Sequence, residues 1–187
     1  WPTSMIKIYS EKNRSSELFE FNNKNQNNFY LLKYIEFYNL LKKNKFLKFI
    51  KCKNYNYETI NKRNYDLIIN SEHDNPITKK FFSKKIEKNY KSLAHTVIIN
   101  HKKIENKIAM QIFTNSGPLA FLPLSTSQTS IVFSNNSNQL INKNKLLEII
   151  NQYNHKYIIS KISNVESFGI KFTLLRNYVY KNILSFG

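Results

Sequence analysis

A single cysteine, three glycines and four prolines are spread over 187 residues. The lone thiol, Cys52, excludes a disulfide framework and every zinc site built from several thiolates, and it suits a reducing compartment. So little glycine and proline excludes collagen-like and low-complexity classes. No apolar run approaches the roughly 20 residues a membrane helix needs, the longest being Pro118–Leu124. No signal peptide is visible at the start. A glycine-rich phosphate loop and a Gly-x-Ser-x-Gly elbow are both missing. Aspartate is confined to Asp66 and Asp74, which leaves little for a paired-aspartate mechanism. His73, His95, His101 and His155 stand at no metal-ligand spacing, so no metal is expected. Cys52 ends an apolar run and reads as a buried structural thiol rather than a nucleophile. Nothing in these patterns singles out a catalytic residue.

What is present is ample apolar material, 41% of the chain with 14% aromatic, enough for a real core and too much for a disordered tail. The net charge is +17, from 29 basic and 12 acidic residues. Arginine, preferred for bidentate phosphate and guanine contacts, stands only at positions 14, 63 and 176. Lysine, asparagine, isoleucine and tyrosine together resemble the drift of an AT-rich genome, so the charge reads first as a Lys-rich solvated surface. Two other readings stay open. One is a nucleic-acid-binding module, whose 12 Tyr and 14 Phe could stack on bases. The other is a non-catalytic β-sheet interaction domain. The Lys are scattered rather than gathered in one stretch, so no nucleic acid is expected.

Met5–Ile8 and Leu18–Phe21 read as strands around a polar turn, Glu11–Ser16. Tyr34, Phe37, Tyr38 and Leu41 recur at helical spacing and predict an amphipathic helix over 34–44. Phe46–Cys52 reads as a strand, Tyr65–Asn70 as a short buried strand, and Ile77–Phe82 as a short helix after a turn. Ala94–Asn100, Lys107–Phe113, Pro118–Leu124 and Ser130–Ser134 follow at hairpin spacing and predict an antiparallel meander. Leu119–Leu124 is apolar on both faces, so it should lie mid-sheet and be covered on both sides. Pro123 lacks a ladder donor and predicts a bulge or opening. Leu146, Ile149, Ile150 and Tyr153 mark a helix capped by Asn142 or Asn144. Ser167–Leu175 and Asn182–Phe186 are the last strands. No internal repeat or linker interrupts the chain, which predicts one mixed α+β unit.

Two segments rise above the rest. In Asn70-Ser71-Glu72-His73-Asp74-Asn75-Pro76 a strand delivers carboxylates to a loop before a helix, where ribose or a cofactor edge commonly binds; an ordinary capped Asx turn is the plainer reading. The other is the Gly-Pro hairpin Gln111–Ser125, whose plainer reading is a packed core hairpin.

Together these segments resemble the flavin-dependent aromatic hydroxylases of ubiquinone biosynthesis, the 2-polyprenyl-6-methoxyphenol hydroxylase group. The resemblance rests on Gln111-x-Phe113, Gly117-Pro-Leu-Ala-Phe-Leu-Pro-Leu124 and Ser130-Ile-Val-Phe-Ser134. The family has Gln-x-Phe, Gly-Pro-Leu-Ala-x-Leu-Pro-Leu and Ser-x-Val-Trp-Ser. Tyr65–Pro76 resembles the family's strand and Asp-Gly motif near flavin, with Glu72 in place of Asp and His73 in place of Gly. Ile35 stands where the family has a flavin-contacting Arg. Asn182–Gly187 resembles the strand entering the Gly-Asp flavin motif. The match is loose before about residue 64 and close over 90–134. It implies an internal piece of a longer bacterial flavoprotein, with no Gly-rich nucleotide-binding unit of its own.

By that resemblance the fold class is α+β, a fragment of an α/β flavoprotein. An antiparallel substrate-domain sheet of about four to seven strands would carry flanking helices and partial FAD-binding elements. Residues 1–82 would supply FAD-domain elements, 83–175 the substrate sheet, and 176–187 a returning strand. The implied enzyme is an FAD-dependent monooxygenase using NAD(P)H and O2 to hydroxylate a polyprenylated phenol through a flavin hydroperoxide. The piece alone is expected to be inactive. Glu72, Asp74 and Gly187 are the implied cofactor contacts. Gln111, Phe113, Leu122 and Pro123 are the implied pocket lining. Implied partners are the phenol, other ubiquinone-biosynthesis proteins and the membrane surface, and the implied location is the cytoplasm, peripheral to the inner face of the membrane.

Overall fold

The computed structural model describes all residues except 23–25, 44–47, 50–64, 73 and 187. Cys52, His73, Gly187 and the Phe46–Cys52 strand, apart from Lys48 and Phe49, therefore lie outside the described residues. The architecture is α+β. Rather than one unit, the chain divides into two: Trp1–Lys42 with Lys91–Ile170, and Lys43–Tyr90 with Lys171–Gly187.

The first unit is built on a sheet. Strands β1 (Pro2–Thr3) and β4 (Phe29–Tyr30) form a small separate pair. The large sheet uses β2 (Met5–Ser10), β3 (Asn13–Asn22), β6 (Lys85–His101), β7 (Ile108–Thr114), β8 (Gly117–Pro123), β9 (Gln128–Asn135), β10 (Ile159–Ile162) and β11 (Glu166–Leu175), with residues 85–90 of β6 and 171–175 of β11 counted in the second unit. Its order is β10-β6-β9-β8-β7-β2-β3, with β11 also pairing β6. Hairpins join β7 to β8 and β8 to β9 as the spacing predicts. Two expectations fail here.

The meander is broken at its first strand, because β6 pairs with β9 rather than β7. The connector 102–107 runs instead beside the 124–128 turn, with His101 N bonded to Ser127 O at 2.9 Å and Ile104 N to Thr126 O at 3.0 Å. Buried Asn106 pins it there through Nδ2, which donates to Ser125 O at 2.8 Å and to Thr129 Oγ1 at 3.0 Å. The sheet is also mixed: β2 lies parallel to β7, Met5 opposite Ile108 through Ser10 opposite Phe113.

Side chains alternate across this sheet. One face carries the row Tyr9, Ile112, Leu119, Phe133. Helix α3 (Lys143–Tyr153) seals that face with Leu146, Ile150 and Tyr153, giving the main core. Leu119, Phe121, Ile131, Leu146 and Ile150 are fully buried there. Burying each stabilises by about 1.5–3 kcal/mol relative to exposure. Asn142 caps the helix, accepting from Lys145 N at 2.9 Å.

Central placement of β8 is as expected, yet only one of its faces is sealed; Ala120 and Leu122 on the other are half-buried. Nor does Pro123 make a bulge, since the β8–β9 register runs unbroken to the pair Pro123–Thr129. Leu124 N donates to Gln128 O at 2.9 Å, so alternate amides, position 123 among them, point towards β7. The β7 ladder already ends at Met110–Phe121, and a missing donor there loses no bond.

Helix α1 (Tyr34–Lys42) forms where the periodicity places it, but none of its residues is buried.

The second unit holds β5 (Ile68–Asn70), helix α2 (Pro76–Phe81), β12 (Val179–Tyr180) and β13 (Ile183–Ser185). β13 lies parallel to β5 and antiparallel to β12. Its core is Ile77, Phe82, Leu175 and Ile183. The 65–70 strand is shorter and more open than expected, with Leu67 57% and Ile69 62% exposed.

Candidate functional site

The hairpin residues fall on two sides of the sheet. Gln111 and Phe113 on β7, and Leu122 on β8, share the face away from α3, since Ile8, Gln111, Ala120, Val132 and Thr96 pair in one row across it. Pro123 is one residue on from Leu122 and therefore points to the sealed face, where it is buried. Expecting both to line one pocket conflicts with the two-residue period of a strand.

The open face is a half-buried floor of Ile8, Ala120, Leu122 and Val132, with Phe113 49% exposed at its margin. Gln111, Thr96 and Ser130 are polar side chains on this face, and the Gln111 amide makes no hydrogen bond with another described residue. At one end Lys33 Nζ donates to Gln128 Oε1 at 2.9 Å, and Gln128 Nε2 to Asn100 Oδ1 at 2.8 Å. This floor can hold a flat apolar body and offer it one donor–acceptor amide.

In the second unit, β5 ends at buried Asn70 and hands the chain to Ser71 and Glu72. Asn75 caps α2, its Oδ1 accepting from Thr78 N at 2.9 Å. That fixes the Asn75 amide, whose Nδ2 then donates to Asn70 Oδ1. Asn70 Nδ2 is left to donate to Thr78 Oγ1 at 2.8 Å and to Glu72 O at 3.3 Å. Thr78 Oγ1 also donates to Glu72 O, at 2.7 Å. The turn carrying Glu72 is thus tied from beneath by buried, paired polar groups, the arrangement that makes such a network rigid.

Glu72 opens onto a cavity of about 280 Å³. Across from the turn, the cavity is lined by Lys171, Thr173 and Leu175, which alternate along β11, and by Tyr178 and Ser185. Thr173 Oγ1 leans towards Glu87 Oε1 at 3.5 Å. The Lys85 ammonium, 2.9 Å from Glu87, holds that carboxyl below the usual range through their hydrogen bond. Asp74 is exposed and does not line the cavity, and Gly187 lies outside the described residues.

Sequence reading missed Lys171, Tyr178 and Ser185, about 100 residues from the turn they join. The alternation Lys171-x-Thr173-x-Leu175, grading from charged to apolar along one strand face, was the available signal.

The cavity suits the edge of a flavin and not the whole dinucleotide. It offers one carboxylate, one ammonium and hydroxyls around an apolar floor. The chain has glycines only at 117, 169 and 187, so it brings no glycine-rich cradle for a pyrophosphate.

No protein-family profile matches the chain, and no curated protein is similar to it. Solved structures are, among them the following three. The tetracycline destructase Tet(51) is 11% identical with a TM-score of 0.40, over 66% of this chain and 38% of that one. The tetracycline destructase Tet(55) is 13% identical with a TM-score of 0.43, over 67% and 38%. CmlS, a flavin-dependent halogenase, is 12% identical with a TM-score of 0.45, over 64% and 24%. The chain spans well under half the length of each.

Proposed function

We propose that this chain is the substrate-covering part of an FAD-dependent monooxygenase that hydroxylates the ring of a polyprenylated phenol in ubiquinone biosynthesis, with NAD(P)H as electron donor. The observation that carries the reading is the two-sided character of β8. The residues of Gly117–Leu124, on which the family resemblance rests, form a central strand with one sealed face and one half-open apolar face. An isoprenylated phenol needs such a floor, and Gln111 offers its amide to the ring hydroxyl.

FAD, when bound, supplies the oxygen activation, and the protein's share is orientation and exclusion of water. On this reading Leu122, Ala120 and Phe113 keep water from the ring, Gln111 orients it, and Glu72 contacts the cofactor in the second unit. Among the described residues no helix is long and apolar enough to cross a membrane. A polyprenyl substrate would bring the protein to the bilayer surface, where a net charge of +17 favours an anionic leaflet. Other ubiquinone-biosynthesis proteins are the expected neighbours there.

The test is calorimetric titration of the chain with a geranylated phenol. Saturable binding should weaken at least about tenfold in Leu122→Asp, since a buried unpaired carboxylate replaces apolar contact. It should be unchanged in Leu140→Ser, an exposed position away from the floor. Absent binding, or equal affinity in Leu122→Asp with its circular dichroism intact, overturns the assignment.

A further inference from the structure

The apolar floor of the first unit does not stop at β8. Ala120, Gln111, Ile8 and Phe19 stand opposite one another across β8, β7, β2 and β3. Two residues along, Ile6 and Phe21 are paired on the same face. Ile6 and Ile8 are half-buried. Phe19 and Phe21 are 63% and 53% exposed on β3, the last strand of the sheet.

The β2–β3 hairpin is turned against the usual rule, by which a hairpin with one open side presents polar residues there. Its charges lie on the opposite side. Lys7 alternates with Ile6 and Ile8, and Glu20 with Phe19 and Phe21. Lys7 Nζ is 2.8 Å from Glu17 Oε2 and 3.2 Å from Glu20 Oε2. Two exposed phenylalanines that continue an apolar floor mark a ligand surface rather than scattered surface hydrophobics.

Polarity also changes in one direction across this face. Thr96 on β6 and Ser130 on β9 bring hydroxyls to one side of β8, whereas β2 and β3 bring only hydrocarbon to the other. A ligand matching both sides is polar at one end and has a linear apolar tail at the other. A headless hydrocarbon leaves the hydroxyl side unmatched, and a compact polar ring leaves Phe19 and Phe21 in water. From β8 to β3 the path crosses three strand spacings, roughly 14 Å in all, which takes a tail of about two to three isoprene units once a ring is seated.

We infer that Phe19 and Phe21 set the tail length this floor prefers. The head lies beside Gln111 with its polar edge towards Ser130 and Thr96. The tail crosses Ile6 and Ile8 and ends between the two phenylalanines at the edge of the sheet. A one-unit tail stops short of β3. The inference rests on the hydroxylase reading for the phenol head alone, and its test reads the tail separately.

Calorimetric titration of the chain compares phenols carrying prenyl, geranyl and farnesyl tails, with farnesol as a tail that has no ring. An isoprene unit has five carbons, so each one laid on the track should tighten binding at least about tenfold. Phe19→Ser and Phe21→Ser should each weaken the farnesylated phenol about tenfold and leave the prenylated one unchanged. Both side chains are exposed, so neither change should unfold the chain, and Leu140→Ser is the unchanged control. Equal affinity for the three phenols overturns the inference and leaves the hydroxylase reading standing. So does a length dependence that ignores both phenylalanine variants, or a loss of equal size for all three tails. Farnesol binding that weakens in both phenylalanine variants, with no phenol binding more tightly than farnesol, upholds the tail track and overturns the hydroxylase reading. No saturation by farnesol or by any of the phenols overturns both.

Discussion

Gly117→Ala should be among the most damaging single-methyl changes in this protein. Gly117 opens β8 with φ of 134°, a region that residues with a Cβ rarely adopt. Thr114 Oγ1 donates to its carbonyl at 2.6 Å, and Asn136 N to Ser116 O at 3.1 Å, so the turn is fixed on both sides. A Cβ built here would lie 1.8 Å from the Ser134 carbonyl oxygen and 3.0 Å from its carbon. Both are backbone atoms of β9, which cannot turn aside as a side chain would. Backbone strain contributes about 1–3 kcal/mol, and forcing the strands apart a further 1–3 kcal/mol. The expected loss is therefore roughly 2–6 kcal/mol out of a typical total of about 5–15. For a chain of this length it lowers Tm by on the order of 10 °C. The comparison is Gly169→Ala, where an added Cβ meets nothing within 4 Å; reduced freedom of the unfolded chain should make it neutral or stabilising by up to about 1 kcal/mol. Urea and thermal denaturation of both variants decide the matter. A loss below about 1 kcal/mol at position 117, or equal effects at 117 and 169, would refute the reasoning.

Asn75→Ala should destabilise by about 2–3 kcal/mol in urea denaturation, because it removes the α2 cap and leaves buried Asn70 Oδ1 without its donor. Asn142→Ala, which removes an exposed cap from α3, should lose only about 1 kcal/mol. His95 is fully buried, with Nδ1 2.8 Å from Ser167 Oγ and Nε2 without a partner among the described residues, and burial pushes its pKa below the ordinary value. The unfolded chain therefore binds the extra proton as pH falls through about 6.5, so stability declines on acidification and is regained above that value. His95→Phe should flatten this slope between pH 5 and 7, read from urea midpoints; an unchanged slope would show that His95 is not its source.

Elements were legible where the pattern is local. The helical spacing of Leu146, Ile150 and Tyr153, the Asn142 cap and the β7–β8–β9 hairpins all follow from residues within a dozen positions of one another. The place of β6 did not, because the 101–107 connector has hairpin length and composition. What diverts it is the Asn106 side chain reaching carbonyls in the 125–128 turn, and such a long-range amide leaves no periodic trace. The meeting of Glu72 and Lys171 around one cavity fails the same way: the sequence marks Glu72 as a candidate contact, but nothing near it points to Lys171, about 100 residues away.

The open floor is the instructive case, since half of it was available in advance. Alternation alone separates Leu122 from Pro123 and joins Leu122 to Ala120, so a strict two-residue count forbids the pair as neighbours in a pocket. Alternation cannot say which of two equally apolar faces stays open, because Leu119, Phe121 and Pro123 are as hydrophobic as Ala120, Leu122 and Leu124. Helix α3 decides it. Its stripe covers Leu119 and Phe121, and the motif becomes a floor only because a helix more than 20 residues downstream commits to the opposite side.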